Sequence, residues 1–209
     1  YYKTFMFPRF AWKLIYEPII RQISGLGNPP QFRDNDKYEF FYQNVDLLII
    51  GGGISGLVSA NYALCSGLKV MLIEQSSFLG GRTLIDESEI EGVETDAYIK
   101  NLKNSIKKNK KFIFKLNTTV NGLYDHGFVL ANEKISSKRN SNLNCRLWKI
   151  RADRIILATG AIERPIVFEN NDLPGIMLSS AIRDYIKLYG VCPGNKIILF
   201  TNNDDAYKT

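Results

Sequence analysis

The stretch Val45-Asp46-Leu47-Leu48-Ile49-Ile50-Gly51-Gly52-Gly53-Ile54-Ser55-Gly56-Leu57 decides the fold, because an apolar strand runs directly into a glycine turn that opens a helix. That order is a dinucleotide-binding fingerprint. Gly51 permits the tight turn, Gly53 lets the backbone approach a pyrophosphate, and Gly56 lets the helix pack close to the strand. The helix start then offers N–H groups and a partial positive charge to the phosphates. Three glycines alone are weak, so the surrounding unit has to carry the reading. Ile54 to Cys65 places Leu57, Ala60 and Leu64 at helical spacing, Gly67 ends the helix, and Lys69 to Ile73 reads as a second parallel strand. Glu74 follows at once, where an acidic residue accepts hydrogen bonds from the adenosine ribose. Its charge repels a 2′-phosphate and no arginine follows closely, which favours NAD or FAD over NADP.

Further along, Ser76 to Ile90 reads as loop around the doublet Gly80-Gly81 and Arg82, Asp96 to Lys107 as a helix, and Lys111 to Leu116 as the third parallel strand. Asn117 to Val120 then lies where a backbone segment meets the adenine ring in this architecture. Tyr124 to Ile135 and Leu147 to Ile150 alternate as antiparallel strands around a polar Ser136 to Asn144 turn. Arg154 to Gly160 is a buried strand ending in Ala158-Thr159-Gly160, a small-residue turn beside the cofactor. A meander inserted before such a strand separates flavin-type domains from plain dehydrogenases. The expected class is therefore α/β: a Rossmann-like FAD/NAD(P)-binding domain of the two-dinucleotide-domain flavoprotein type, a parallel sheet with an antiparallel meander. Leu178 to Tyr189 follows as a helix, Gly190 to Asn195 as a turn, and Lys196 to Phe200 as the first strand of a second nucleotide-type domain. Its loop, Thr201-Asn202-Asn203-Asp204-Asp205, replaces a second glycine loop with carboxylates that repel a pyrophosphate. The expected divisions are an aromatic helix and connector over 1–44, the dinucleotide domain over 45–165, and a linker with the start of a truncated second domain over 166–209.

The chain has 209 residues, a formal net charge of +6 and three cysteines. Tyr1 is not an initiator methionine and nothing covers the last strand, so the sequence reads as an internal piece of a longer protein. The basic excess concentrates in Lys100 to Lys115, a solvated helix face without interleaved stacking aromatics, which argues against nucleic acid. Cys65, Cys145 and Cys192 form no CxxC pair, which argues for a reducing compartment and against structural zinc. No apolar run reaches the roughly 20 residues of a bilayer span. Near the N-terminus Pro8 opens a helix whose Arg9, Lys13 and Glu17 make one polar stripe, leaving Phe10, Leu14 and Ile15 to pack on protein rather than lipid. Gln31 to Asn44 reads as connector.

No catalytic constellation stands out. His126, the single histidine, reads as a turn residue in Tyr-Asp-His-Gly rather than a general base. Glu163 and Arg164 read as an ion pair fixing the exit of the Ala-Thr-Gly strand, and Asp204-Asp205 is a poor magnesium site. No metal site is expected.

Several stretches resemble the alpha subunits of heterotetrameric sarcosine oxidases: Tyr1 to Met6, Gly25 to Gly27, Tyr124 to His126, Leu147 to Lys149, Ala158 to Pro165, Asn170 to Gly175 and Phe200 to Tyr207. The resemblance implies a cytoplasmic bacterial complex that oxidises sarcosine to glycine with peroxide formation and one-carbon transfer to tetrahydrofolate. It implies beta, gamma and delta subunits as partners, with the rest of the alpha chain, and neither nucleic acid nor membrane. By the same resemblance FAD belongs to the beta subunit, FMN to the alpha–beta interface, and the folate domain to the alpha C-terminal half. NAD is then the nucleotide of this chain, with FAD as the alternative that architecture alone favours. The matching positions are Gly51, Gly53, Ser55 and Gly56 at the phosphates, Glu74 and Gln75 at the ribose, Gly81 and Arg82 at the doublet, Val120 at the adenine, and Thr159 and Gly160 at the Ala-Thr-Gly turn. Ile54-Ser55 stands where the family more commonly has Pro-Ala. The competing function is a fragment of a self-contained FAD-dependent amine or opine oxidoreductase, or of a pyridine nucleotide reductase. A domain that holds its nucleotide as a structural element is compatible with the first.

Overall fold

Leu48 and Ile49 point to opposite faces of one strand, yet both are fully buried, so that strand must be covered on both sides. The computed structural model describes residues 7–28, 31–34, 37–86, 89–90, 92–135 and 143–209. The Tyr1 to Met6 stretch and nearly all of the expected Ser136 to Asn144 turn lie outside the described residues. The chain divides into two compact units, Tyr1–Asp36 and Lys37–Thr209.

In the first unit, α1 (Arg9–Ala11) continues through a π-type turn over Trp12–Tyr16 into α2 (Glu17–Ile23). Pro18 stands second in α2, just past the π-type turn, where its missing N–H removes one bond from the continuous helix. Glu17 and Arg21 pair one turn apart at 2.6 Å. The π turn shifts the bonding to i→i+5, so Lys13 and Glu17 do not keep a straight stripe; the Arg9 side chain is outside the described residues. Phe10, Leu14 and Ile15, the expected apolar face, are exposed.

The second unit is built on a six-stranded sheet in the order β5-β2-β1-β8-β7-β6. Its strands are β1 (Lys37–Ile50), β2 (Val70–Ile73), β5 (Phe112–Lys115), β6 (Thr118–Tyr124), β7 (Phe128–Lys134) and β8 (Leu143–Leu157), with a small β3 (Glu89–Ile90) and β4 (Val93–Glu94) pair apart from it. β5, β2, β1 and β8 run parallel, while β6 and β7 continue antiparallel from β8. Helices α3 (Ile54–Cys65) and α4 (Thr95–Lys107) connect the parallel strands, as parallel pairing requires. One core cluster joins Leu47 and Ile49 to Leu57, Ala60 and Leu64 of α3 and Ile99 and Ile106 of α4. A second, on the other face, joins Leu48, Met71 and Ile73 to Val129, Ala131, Trp148 and Ile150 of the meander. Burying one such leucine or isoleucine contributes about 1.5–3 kcal/mol.

Four expectations change here. The stretch Gln31 to Asn44 contains the outer half of β1, which pairs in parallel with β8 all along its length. The strands read separately as Leu147 to Ile150 and Arg154 to Gly160 are one continuous β8, and the segment expected at the adenine begins β6. Lys196 to Phe200 is in no ladder among the described residues. Ile197, Ile198 and Phe200 are accordingly exposed. The last helix, α5 (Ser179–Tyr189), ends at left-handed Gly190, which satisfies the final carbonyls without a Cβ penalty.

Candidate functional site

The carboxyl ends of β1, β2 and β8 converge on the glycine loop. Gly51 N–H donates to the Ile73 carbonyl at 2.8 Å, and Ala158 N–H donates to the Ile50 carbonyl at 2.8 Å. Gly51 holds φ at +111°, and a Cβ there would collide with the Ala158 carbonyl. Gly56 packs so closely that its Cβ would overlap the Gly51 carbonyl oxygen, which fixes the start of α3 against β1. Gly53 is different. It caps α3 at φ −71° with no side-chain cap, and a Cβ would meet nothing within 4 Å. A glycine that neither sterics nor φ requires, at an uncapped helix start, leaves a cradle that a Cβ would fill. The cradle suits a pyrophosphate.

The doublet forms the other wall. Gly80 N–H donates to the Gly52 carbonyl at 2.8 Å, and a Cβ on Gly81 would lie 3.0 Å from the Gly53 Cα. At the end of β2, Glu74 accepts from Gly52 N–H at 2.6 Å through one oxygen and from Ser76 N–H and Oγ at 2.8 Å through the other. Ser76 Oγ also lies 2.8 Å from the Phe78 carbonyl, so its single proton has two acceptors. Spacing alone did not single out Ser76; a hydroxyl two residues after a ribose-type glutamate carries no signal of its own.

The structure therefore brings Gly51, Gly53, Ser55, Gly56, Glu74 and Gly81 together, with Thr159 and Gly160 exposed beside them where β8 ends. Gln75 is exposed next to Glu74. Val120 packs its side chain on the Met71 and Ile73 cluster and stays partly exposed. Arg82 turns away from the loop. Its guanidinium binds Asp86 at 3.0 Å and Asp184 of α5 at 3.2 Å, and the Asp86 hydrogen bond holds its pKa above the ordinary arginine value. Buried Arg183 bonds Asp205 at 2.5 Å and Asp86 at 3.4 Å, and its Nε has no hydrogen-bond partner among the described residues. Asp205, from the loop standing where a second glycine loop was sought, is held below the usual carboxylate range chiefly by the Arg183 hydrogen bond.

Two further readings resolve locally. Glu163 accepts from Ser180 N–H at 2.8 Å at the start of α5, rather than pairing with Arg164. Hydrogen bonding from Ser180, hydroxyl first and then backbone, with Arg183 nearby, holds the Glu163 carboxyl below its ordinary value. His126 sits at φ +59° in the turn joining β6 and β7, and its carbonyl accepts from Arg151 at 3.0 Å. Among the described residues no helix is long and apolar enough to cross a membrane.

Residues 45–190 match the family of pyridine nucleotide-disulphide oxidoreductases. The chain is 39% identical to the sarcosine oxidase subunit alpha of Rhizobium meliloti (strain 1021), over 99% of this chain and 21% of that protein. It is 37% identical to the subunit of the same name from Corynebacterium sp. (strain P-1), over 88% of this chain and 20% of that one. The chain thus spans about a fifth of the length of these curated relatives. Among solved structures, L-proline dehydrogenase from P. horikoshii superposes with a TM-score of 0.59 at 29% identity, covering 77% of this chain and 31% of that one.

Proposed function

From the premise that the chain belongs to the pyridine nucleotide-disulphide oxidoreductase family, we propose that it is the NAD-holding part of the alpha subunit of a sarcosine oxidase complex. The observation that carries this reading is the open Cβ position of Gly53 between an uncapped α3 and the Gly80-Gly81 wall. In this proposal the α3 start and the Gly51–Gly56 loop hold the pyrophosphate, and Glu74, oriented by Gly52 and Ser76, accepts the adenosine ribose hydroxyls. Thr159 and Gly160 flank the loop from β8, and Gln75, Gly81 and the Val120 backbone complete the rim. Arg82, bound to Asp86 and Asp184, shapes the doublet rather than gripping phosphate. The likeness to the sarcosine oxidase alpha subunits supports NAD over FAD, an oxidative demethylation of sarcosine by the whole complex, and other subunits as partners.

A nicotinamide dinucleotide, when bound, supplies a hydride acceptor. Efficient transfer needs a donor held in near-attack geometry; among the described residues the carboxylate beside the loop, Glu74, is taken up by Gly52 and Ser76, and no thiol pair stands there. In this proposal the chain therefore binds and orients its dinucleotide as a structural element, stabilised in proportion to occupancy. The test is to release the nucleotide from the full-length protein purified apart from its partners and identify it by mass. One NAD per chain is the expected result; stoichiometric flavin, with its visible absorption band, overturns the assignment.

A further inference from the structure

Arg183 is a cation that cannot turn to water, since its side chain is only 8% exposed. Two carboxylates from distant parts of the chain hold it. Asp205 meets its Nη2 at 2.5 Å and its Nη1 at 3.5 Å, and Asp86 meets Nη1 at 3.4 Å. A buried cation deprived of one partner leans harder on the one that remains. The Asp86 oxygen that receives Arg183 is the same Oδ1 that receives Arg82 Nη2 at 3.0 Å. Asp205 thus sets how much of Asp86 is left to Arg82. Lys208 Nζ, 3.5 Å from Asp205 Oδ1, is exposed and is not bound to follow.

Arg82 in turn fixes one wall of the cradle. It follows the glycine doublet in the short turn Gly81–Leu84. One end of that turn is tied to the glycine loop by the Gly80 N–H bond to the Gly52 carbonyl at 2.8 Å. The turn is tied to α5 by Arg82 Nη1 on Asp184 at 3.2 Å. Asp86 grips the same guanidinium at Nε and Nη2, at 3.3 and 3.0 Å. The turn stands so near the loop that a Cβ on Gly81 would lie 3.0 Å from the Gly53 Cα. Any shift of the turn therefore changes the gap opposite Gly53.

We propose, resting on the dinucleotide reading of the Gly51–Gly56 loop, that Asp205 is a positioning residue for the cradle and acts through Arg183, Asp86 and Arg82. By satisfying Arg183 it leaves Asp86 to Arg82, and Arg82 holds the doublet at the width the dinucleotide needs. The loop Thr201 to Asp205, which has carboxylates in place of a second set of phosphate-binding glycines, thereby serves the first set. The two states are Asp86 engaged on Arg82 with the doublet in place, and Asp86 drawn to Arg183 with the doublet released. Coupling between such sites is reciprocal, so a nucleotide that holds the doublet also leaves Arg183 to Asp205.

The test uses the full-length protein as wild type, Asp205→Asn, Arg82→Gln, the two together, and Asp204→Asn, a neighbouring carboxylate that bonds neither arginine among the described residues. Amide exchange is read first, without nucleotide. Asp205→Asn is expected to speed exchange within residues 80–86 while leaving α3 unchanged, and Asp204→Asn to change neither. In titrations with NAD, Asp205→Asn is expected to weaken binding about two- to thirtyfold, the range of couplings carried by side-chain networks. Once Arg82→Gln has cut the route, Asp205→Asn should have no further effect. NAD should in return slow exchange at residues 201–208 in wild type and not in Arg82→Gln. The proposal is overturned if exchange within 80–86 is the same in wild type and Asp205→Asn, if Asp204→Asn acts as strongly as Asp205→Asn, or if the effects of Asp205→Asn and Arg82→Gln add. It is also overturned if Asp205→Asn binds NAD as tightly as wild type or more tightly, the result an Arg82 freed to grip phosphate would give. Wild type that takes up neither NAD nor FAD refutes the dinucleotide reading instead; nucleotide-free exchange within 80–86 then decides by itself whether Asp205 positions the doublet.

Discussion

Gly53 caps α3 and Gly56 stands three residues on in its first turn, yet the structure assigns them opposite costs. At Gly53 the backbone is in the extended region with φ −71°, and a Cβ meets nothing within 4 Å. Gly53→Val should then cost nucleotide-free protein only the difference between a glycine and an apolar cap, about 1 kcal/mol. For a chain of this size that lowers Tm by about 2–4 °C. At Gly56 a Cβ would overlap the Gly51 carbonyl oxygen and lie 3.1 Å from its carbon. Helix and strand must then separate, and overpacking of this kind costs about 1–3 kcal/mol or more. Gly56→Ala should therefore lower the Tm of nucleotide-free protein by up to about 6–12 °C.

Binding should rank the two the other way. A dinucleotide at a hundred times its Kd stabilises wild type by about 2.7 kcal/mol, read as a rise in Tm. Gly53→Val places a branched side chain in the cradle and should abolish that rise, with affinity for NAD down at least about a hundredfold, or about 2.7 kcal/mol. The assays are thermal denaturation of nucleotide-free protein, with and without NAD, and calorimetric titration. A folded Gly53→Val chain that still takes up one NAD with wild-type affinity would refute the assignment of the cradle. A Gly53→Val chain less stable than Gly56→Ala would refute the steric reading of the loop.

The remaining expectations concern α5 and the isolated chain. Glu163 has a folded-state pKa lowered by Ser180, so its contribution is present above the unfolded value of about 4.3 and is lost as pH falls through the folded value. Thermal stability of Glu163→Gln should accordingly fall below wild type at neutral pH, and the two profiles should converge in acid; parallel profiles across that range would count against the cap. Arg183→Met leaves Asp86 and Asp205 without their shared cation and should lower the unfolding free energy by about 1–3 kcal/mol, less than a fully buried pair because both acids are partly exposed. Denaturant titration measures it, and a change under about 0.5 kcal/mol, the range of ordinary surface substitutions, rejects the network. The isolated chain should release no peroxide from sarcosine; sarcosine-dependent peroxide from it would place catalytic groups that the site geometry does not supply.

What the sequence made legible is what short-range geometry dictates. A turn at φ +111° and a helix packed on a carbonyl admit only glycine, so Gly51 and Gly56 announced themselves, and Ile54–Cys65 formed as its periodicity requires. β1 was harder. Lys37 to Asn44 alternates aromatic and polar residues with no buried side, and its pairing depends on β8, whose Arg146 is 107 residues from Glu39. The same distance problem hid the Arg82–Asp184 contact, 102 residues apart. Arg82 followed a glycine doublet and so looked available to phosphate, but Asp86 four residues on and Asp184 of α5 take its guanidinium. Lys196 to Phe200 shows the reverse case: strand-like composition that joins no ladder among the described residues.

In the proposed reading, Glu74 ties the fold to nucleotide choice. A carboxylate has about four lone-pair sites, and Gly52 N–H with Ser76 N–H and Oγ occupies three. The fourth admits one ribose hydroxyl. Turning the Ser76 proton to the Phe78 carbonyl, also 2.8 Å away, opens a second site and loses no hydrogen bond. The diol of an adenosine ribose would therefore be accommodated by rotating one hydroxyl, without moving backbone. A 2′-phosphate has no such route, because it brings acceptors to a group that offers only acceptors. Unit charges 4 Å apart at an effective dielectric of about 20 repel by about 4 kcal/mol. The fixed orientation of Glu74 prevents it from swinging clear, since the Gly52 N–H that holds it belongs to the same loop that forms the cradle. In the proposed reading, specificity for the unphosphorylated ribose follows from the turn that would hold the pyrophosphate, and a change relaxing one should disturb the other.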